Sequence, residues 1–306
     1  MVGPTGVGKT ALGVALAREW PIEAVSVDSR QVYRRMDIAT GKPTAAQRRT
    51  LRHHLLDIVE PDEPYDAARF ARDAARAIAD IRARGRWPFL IGGTGLYLRA
   101  LLRGLSPLPA ADLALRRRLR AEATAGGPTA LHQRLAELDP AAAAQLHPRD
   151  LVRVTRALEI VLLTGEAVSA ARARARHEPP PPYRALTVGL TMARGALFAR
   201  LDARVDRMIA EGLLPEVEAL LAAGFALDLP AMQGIGYRHL APVVTRGGSL
   251  VDAVRVMKRD TRRYAKRQWT WFLREAAVQW VSVDPGQPGM VIAQVKKLVE
   301  RARIFG

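Results

Sequence analysis

The chain has 306 residues, 49% of them apolar and 25% charged, and its 47 Lys and Arg against 30 Asp and Glu give a net charge of +17. The apolar share supports a sizeable core and argues against wholesale disorder, while the lack of cysteine excludes disulfides and thiolate metal sites and suits the cytoplasm. No apolar run reaches the roughly 18–20 residues that cross a bilayer, and no charged-then-apolar leader opens the chain, so no membrane partner is expected.

The charge points to a polyanionic partner, with nucleic acid first. Basic residues gather in three runs, Arg116–Arg120, Arg172–Arg176 and Lys258–Arg267. One run is ordinarily a solvated helix face; three favour a binding surface.

In chain order, Gly3-Pro4-Thr5-Gly6-Val7-Gly8-Lys9-Thr10 comes first and fits G-x-x-x-x-G-K-[ST]. Backbone N–H groups of such a turn surround phosphate oxygens at a helix start. Lys9 adds a point charge, and the Thr10 hydroxyl suits a phosphate-bound Mg²⁺. The strand that normally leads into such a loop is here only Met1 and Val2, so a start upstream is expected, and a sheet short of its central strand should be less stable. A helix is predicted over Lys9–Glu19, then a strand Ala24–Asp28 ending on a carboxylate. Asp28 suits a general base, an orienter of an acceptor, or a cap for the next segment. A second strand is predicted at Leu55–Val59, with His53 and His54 facing opposite ways, then a helix Tyr65–Arg84 and a buried strand Phe89–Ile91. Gly92-Gly93-Thr94-Gly95 then makes a second strand-to-helix turn, either a simple tight turn or one wall of an anion nest to which Thr94 donates. No late strand ends in the Asp that would hold a nucleotide's Mg²⁺.

From residue 107 to 182 strand patterns vanish. Helices are predicted at Leu113–Ala125, Pro128–Leu138, Ala141–Leu146 and Asp150–Thr164, closing on the stiff connector Glu178–Pro182. Leu186–Leu190 returns as a strand, followed by helices over Arg194–Glu275, a strand Val278–Val283 and a last helix. The fold class is therefore α/β: a P-loop-type parallel sheet flanked by helices, with an all-helical insertion. The division is core 1–106, insertion 107–182 and core 183–306. In the run from Arg262 to Phe272, Trp269 and Phe272 are expected in the core and the charges at the surface.

Taken together, "GPTGVGKT", "VSVDSRQVYRRMDIATGKP", "HHLLDIVEP", "FLIGGTGLYLRALLRGL", "DLVRVTRALEI", "QGIGYR" and "TRRYAKRQWTWF" resemble, in this order, the bacterial tRNA dimethylallyltransferases, also called tRNA isopentenyltransferases. The resemblance runs from residue 2 to about 285. It implies transfer of a dimethylallyl group from dimethylallyl diphosphate to N6 of the adenosine 3′-adjacent to the anticodon. The loop Gly3–Thr10 then holds a diphosphate, with Mg²⁺ on Thr10. The catalytic group implied is Asp28 as base, with Lys9, Thr94 and Arg204 meeting the leaving group. The tRNA contacts implied are Asp28, Ser29, Arg30, Gln31, Thr94, Arg116, the stretch Val152, Arg153, Val154, Thr155 and Arg156, and Gln233, Gly234, Ile235, Gly236, Tyr237 and Arg238. The insertion would grip the anticodon stem, and a monomer is expected. A small-molecule or nucleotide kinase is the competing enzyme; an RNA-binding protein with an idle phosphate loop is the competing non-enzyme.

Overall fold

A computed structural model of the protein describes residues 1–105, 108–109, 111–127, 129–175 and 183–303. It divides into two units, one built from Met1–Leu102 and Pro182–Gly306, the other from Arg103–Pro181. Pro107, Arg176 and the connector Glu178–Pro182 lie outside the described residues.

The chain opens α1 (Lys9–Leu16), β1 (Ile22–Val27), α2 (Ala45–Thr50), β2 (His53–His54), α3 (Ala67–Ala83), β3 (Trp87–Gly92), α4 (Gly95–Arg103). The helices α5 (Leu113–Gly126), α6 (Ala130–Leu138), α7 (Pro140–Ala143), α8 (Leu151–Thr164) and α9 (Val168–Ala175) follow. It closes with β4 (Thr187–Thr191), α10 (Arg194–Ala210), α11 (Leu213–Ala222), α12 (Tyr237–Arg246), α13 (Leu250–Leu273), β5 (Val278–Ser282) and α14 (Pro288–Arg301).

In the first unit β1 lies between β2 and β3, all parallel, with Ala24 opposite His53 on one side and Phe89 on the other. Every residue of β1 is buried, as a strand covered on both faces requires. A second parallel pair joins β4 to β5. Between the two sheets run Met1 and Val2. The Val2 N–H donates to Val188 (2.8 Å), its carbonyl accepts from Leu190 N–H (2.9 Å), and the Met1 carbonyl accepts from Gly92 N–H (3.2 Å). Two residues thus do the bonding of the short strand that precedes the loop.

The strand expected at Leu55–Val59 is not formed. Pairing stops at His54, because Leu55 and Asp57 take φ of 62° and 56°, a left-handed backbone that no strand accommodates. Val59 keeps a single bridge to Tyr33. The short helix α2 adds to the elements expected from the sequence, and Thr44 and Gln47 form a reciprocal cap at its start.

In the second unit, Leu119, Leu131, Leu135, Val154, Leu158 and Ile160 form the core. Glu159 is fully buried beside it and accepts both arms of the Arg116 guanidinium, each at 2.9 Å, together with a bond from Arg156. Burial alone would push the Glu159 carboxyl up, but the Arg116 and Arg156 bonds outweigh it and hold the group below its usual range. Glu159→Ala therefore leaves two cations without their acceptor, and should cost about 3–5 kcal/mol in a urea melt of the full chain at pH 7. A depressed carboxyl contributes above its unfolded value and loses that contribution on acidification, so the difference between parent and variant should shrink below about pH 4.

Candidate active site

Three segments build the site, and the first is the glycine loop. Gly3 takes φ 136° and presses against the Leu190 backbone with no room for a side chain, so its role is to bring the loop out of the sheet. Val7 is fully buried, and its N–H donates to the Pro4 carbonyl (3.4 Å). Thr5, Gly6, Gly8, Lys9 and Thr10 line a cavity of about 640 Å³, a volume typical of ligand sites. Gly8, at φ 107°, caps α1, whose first-turn N–H groups have no partner within the helix. The Lys9 ammonium donates to the carbonyls of Gly3 (2.9 Å) and Pro4 (2.8 Å).

Asp28 follows the end of β1 and lines the same cavity. The Val27 carbonyl accepts the N–H groups of Gly93 and Thr94, each at 3.2 Å, and Thr94 Oγ1 accepts Ser29 N–H at 3.1 Å. The second glycine turn is thereby nested on the end of β1, and a Cβ on Gly92 would strike the Val27 carbonyl. Asp28 Oδ1 accepts from Arg30 N–H (2.8 Å) and Gln31 N–H (3.3 Å). Among the described residues no group is bonded to Oδ2. Burial pushes the Asp28 carboxyl up, against the lowering pull of those two amides and of Lys9. Burial also holds the Lys9 ammonium down at about 8, with Asp28 raising it and Arg204 lowering it.

The third segment is residues 29–44, which the sequence folds back over the site. Gln31 accepts from Ser26 Oγ (2.9 Å) and donates to the carbonyls of Thr40 (3.3 Å) and Gly41 (3.2 Å). Lys42, its side chain only 2% exposed, donates to the Tyr33 carbonyl (2.6 Å), to Asp37 (2.6 Å) and to Asp57. Glu216 of α11 accepts the N–H groups of Asp37 (3.0 Å) and Ile38 (2.9 Å) and the Tyr237 hydroxyl (2.6 Å). Gly41 leaves the space into which the Arg204 guanidinium projects. Arg204 stands 3.5 Å from Thr5 Oγ1 and lines the cavity with Arg200 and Arg207, one helical turn to either side on α10. A glycine-rich turn, seven Lys and Arg side chains and the two carboxylates Asp28 and Glu211 therefore share a single pocket.

Comparison with known proteins places the chain in a family. The family model for IPP transferase matches residues 31–275, and that for isopentenyl transferase matches residues 1–60. The tRNA dimethylallyltransferase of Geobacter metallireducens is 48% identical over 96% of this chain and 94% of its own length. The tRNA isopentenylpyrophosphate transferase of Bacillus halodurans has a solved structure that is 40% identical, covers 99% of this chain and 96% of its own, and superposes with a TM-score of 0.71. A solved eukaryotic dimethylallyltransferase acting on tRNA reaches a TM-score of 0.81 at 30% identity, over 99% of this chain and 78% of its own. The chain belongs to the tRNA dimethylallyltransferase family.

In this transferase the structure gathers most of the residues singled out in the sequence. Lys9, Thr10, Asp28, Ser29, Arg30, Gln31, Arg204, Gln233, Gly234, Ile235, Tyr237 and Arg238 all line the one cavity. Several of the residues singled out have partners within the protein. Thr94 does not line the cavity; its hydroxyl braces Ser29. Tyr237 is only 1% exposed, with its hydroxyl spent on Glu216. Gly236 packs against Ala39, and the Gln31 amide is committed to the 40–41 carbonyls.

Arg116 and the 152–156 stretch belong to the second unit of the transferase. Val154 and Thr155 face its core, so neither side chain is open to a nucleic acid, whereas Val152 and Arg153 are exposed. The guanidinium groups of Arg116 and Arg156 are both bound to Glu159. Helical periodicity explains this, because consecutive residues of a helix cannot all face one partner. Phe272 is buried as expected, while Trp269 is only partly so. Arg200, Arg207, Lys42 and Gln268 were not singled out. The 200–204–207 spacing was the readable signal for the first two; a buried lysine has none.

Proposed function

We infer that the protein transfers a dimethylallyl group from dimethylallyl diphosphate to N6 of the adenosine 3′-adjacent to the anticodon of a tRNA, and that the cavity above is where this happens. The observation that carries this reading is the meeting in one pocket of a glycine turn of phosphate-cradling form and the Asp28 carboxylate at the end of β1.

An exocyclic adenine amine is a weak nucleophile, because its lone pair is delocalised into the ring. As the new C–N bond forms at C1 of the dimethylallyl group, the C–O bond breaks and its electron pair leaves on pyrophosphate. The N6 proton passes to Asp28 Oδ2, the oxygen that has no other bond among the described residues. A carboxyl raised by burial is a better proton acceptor than an ordinary one. The charge gathering on pyrophosphate meets the amides of Gly6, Gly8, Lys9 and Thr10, the Lys9 ammonium and the Arg204 guanidinium. Thr10 lines the cavity, and no cluster of three acidic or His side chains occurs among the described residues. A Mg²⁺ fits there only as an ion held by the Thr10 hydroxyl and largely by diphosphate oxygens and water, supplying charge neutralisation for the leaving group.

A base inside a stacked anticodon stem-loop cannot reach a pocket at the carboxyl edge of a sheet, so the adenosine must leave its stack. In the second unit the exposed Arg117, Arg118 and Arg120 are the residues of their run placed to meet RNA phosphates. Phosphoryl transfer fits less well, because β3 ends at Gly92 and offers no acidic residue for a nucleotide-bound metal. Incubation with dimethylallyl diphosphate and an anticodon stem-loop carrying the target adenosine should yield a prenylated nucleoside by mass spectrometry. ATP-dependent phosphorylation of a small molecule with no prenylated nucleoside would replace this reading with a kinase.

A further inference from the structure

Helix α13 presents Tyr264, Gln268 and Trp271 at intervals of four and three residues, on one face. That face runs along the second glycine turn residue by residue. Tyr264 meets the Thr94 hydroxyl. Trp271 closes over Gly95, where a Cβ would strike its indole nitrogen. Between them Gln268, 6% exposed, spends both ends of its amide: Oε1 accepts Thr5 N–H at 2.7 Å and Nε2 donates to the Gly93 carbonyl at 3.0 Å. Gly93 admits this contact only because it has no side chain. One side chain from late in the sequence therefore ties the first glycine loop to the second.

We propose that Gln268 is a positioning residue for prenyl transfer, its amide fixing the glycine loop that receives the diphosphate against the turn that braces Ser29, the chain neighbour of Asp28. The distance between leaving group and base is otherwise set by two separate loops. The bridge needs one acceptor and one donor at the same place, and an amide supplies both. With the Thr5 N–H taken by Gln268 and the Val7 N–H by Pro4, the amides of Gly6, Gly8, Lys9 and Thr10 are the ones left to the diphosphate. Displacing the loop should therefore slow the reaction more than it weakens RNA binding.

The proposal rests on the diphosphate reading above, and its test separates the two. Gln268→Glu keeps an acceptor for Thr5 but sets a carboxylate against the Gly93 carbonyl; Gln268→Met keeps the shape and loses both bonds. Both should lower kcat roughly 10–100-fold with the KM for the stem-loop changed less than about twofold. Protonation restores a donor in the Glu variant, so its kcat relative to the parent should climb as pH falls from 8 to 5.5, while the ratio for the Met variant stays flat. A parent-like kcat in both variants, or a pH-independent ratio in a folded Glu variant, overturns the positioning role while leaving prenyl transfer by the parent intact. A parent enzyme that makes no prenylated nucleoside overturns the underlying reading instead.

Discussion

Asp28→Asn should lower kcat by about 10²–10⁴-fold and leave the folded protein at least as stable as its parent. The two halves of that result come from the same cause. Burial raises the carboxyl in the folded state, so the folded protein binds a proton there more readily than the unfolded chain does. Stability from this group is complete below the unfolded pKa of about 3.9 and is lost as pH rises through the folded value, so above that value the buried carboxylate is a burden on the fold. The Asn amide removes that burden but cannot accept the N6 proton. A melting curve alongside single-turnover kinetics separates a lost base from a damaged fold. Unchanged turnover would take the base assignment away from Asp28.

The second large effect concerns Lys9. Lys9→Ala should cost about 10²–10³-fold in kcat/KM for dimethylallyl diphosphate, comparable with removing one preorganised donor from a charge-stabilising site. In the parent, kcat/KM reports the free enzyme, where burial has brought the ammonium down to about 8. Activity should therefore fall with a slope near one log unit per pH unit above about pH 8, and Lys9→Ala should abolish that limb. Asp28 is the neighbour that holds the ammonium up. The residual activity of Asp28→Asn should thus begin its alkaline fall at a lower pH than the parent. A parent profile flat to pH 10 would show that the charge of Lys9 is not needed.

Much of this site is legible in the sequence, for a definite reason. The glycine loop, the strand ending at Asp28 and the turn at Gly92–Gly95 are local features, each with its own backbone chemistry, and parallel strands bring such ends to one edge of the sheet. What stayed hidden depends on distant partners. The pattern at Leu55–Val59 is apolar enough for a strand, yet Leu55 and Asp57 are turned out of it by left-handed backbone. Asp57 is tied instead to Lys42 and Arg48. Arg116 and Arg156 look like phosphate ligands until Glu159 is placed between them, and Gln268 is an ordinary helix residue until Thr5 and Gly93 appear at its two ends. Charge and motif show which groups are present; packing decides which are already engaged.

The central claim is a geometric one, that a diphosphate in the amide turn and an adenine amine at Asp28 occupy one pocket together. A structure of the protein with a non-reactive dimethylallyl diphosphate analogue and an anticodon stem-loop measures it directly. The flipped adenosine should lie with N6 about 2.6–3.2 Å from Asp28 Oδ2 and the diphosphate on the amides of Gly6, Gly8, Lys9 and Thr10. An adenosine still stacked in its loop, with Asp28 turned away and the diphosphate bound elsewhere, would contradict it.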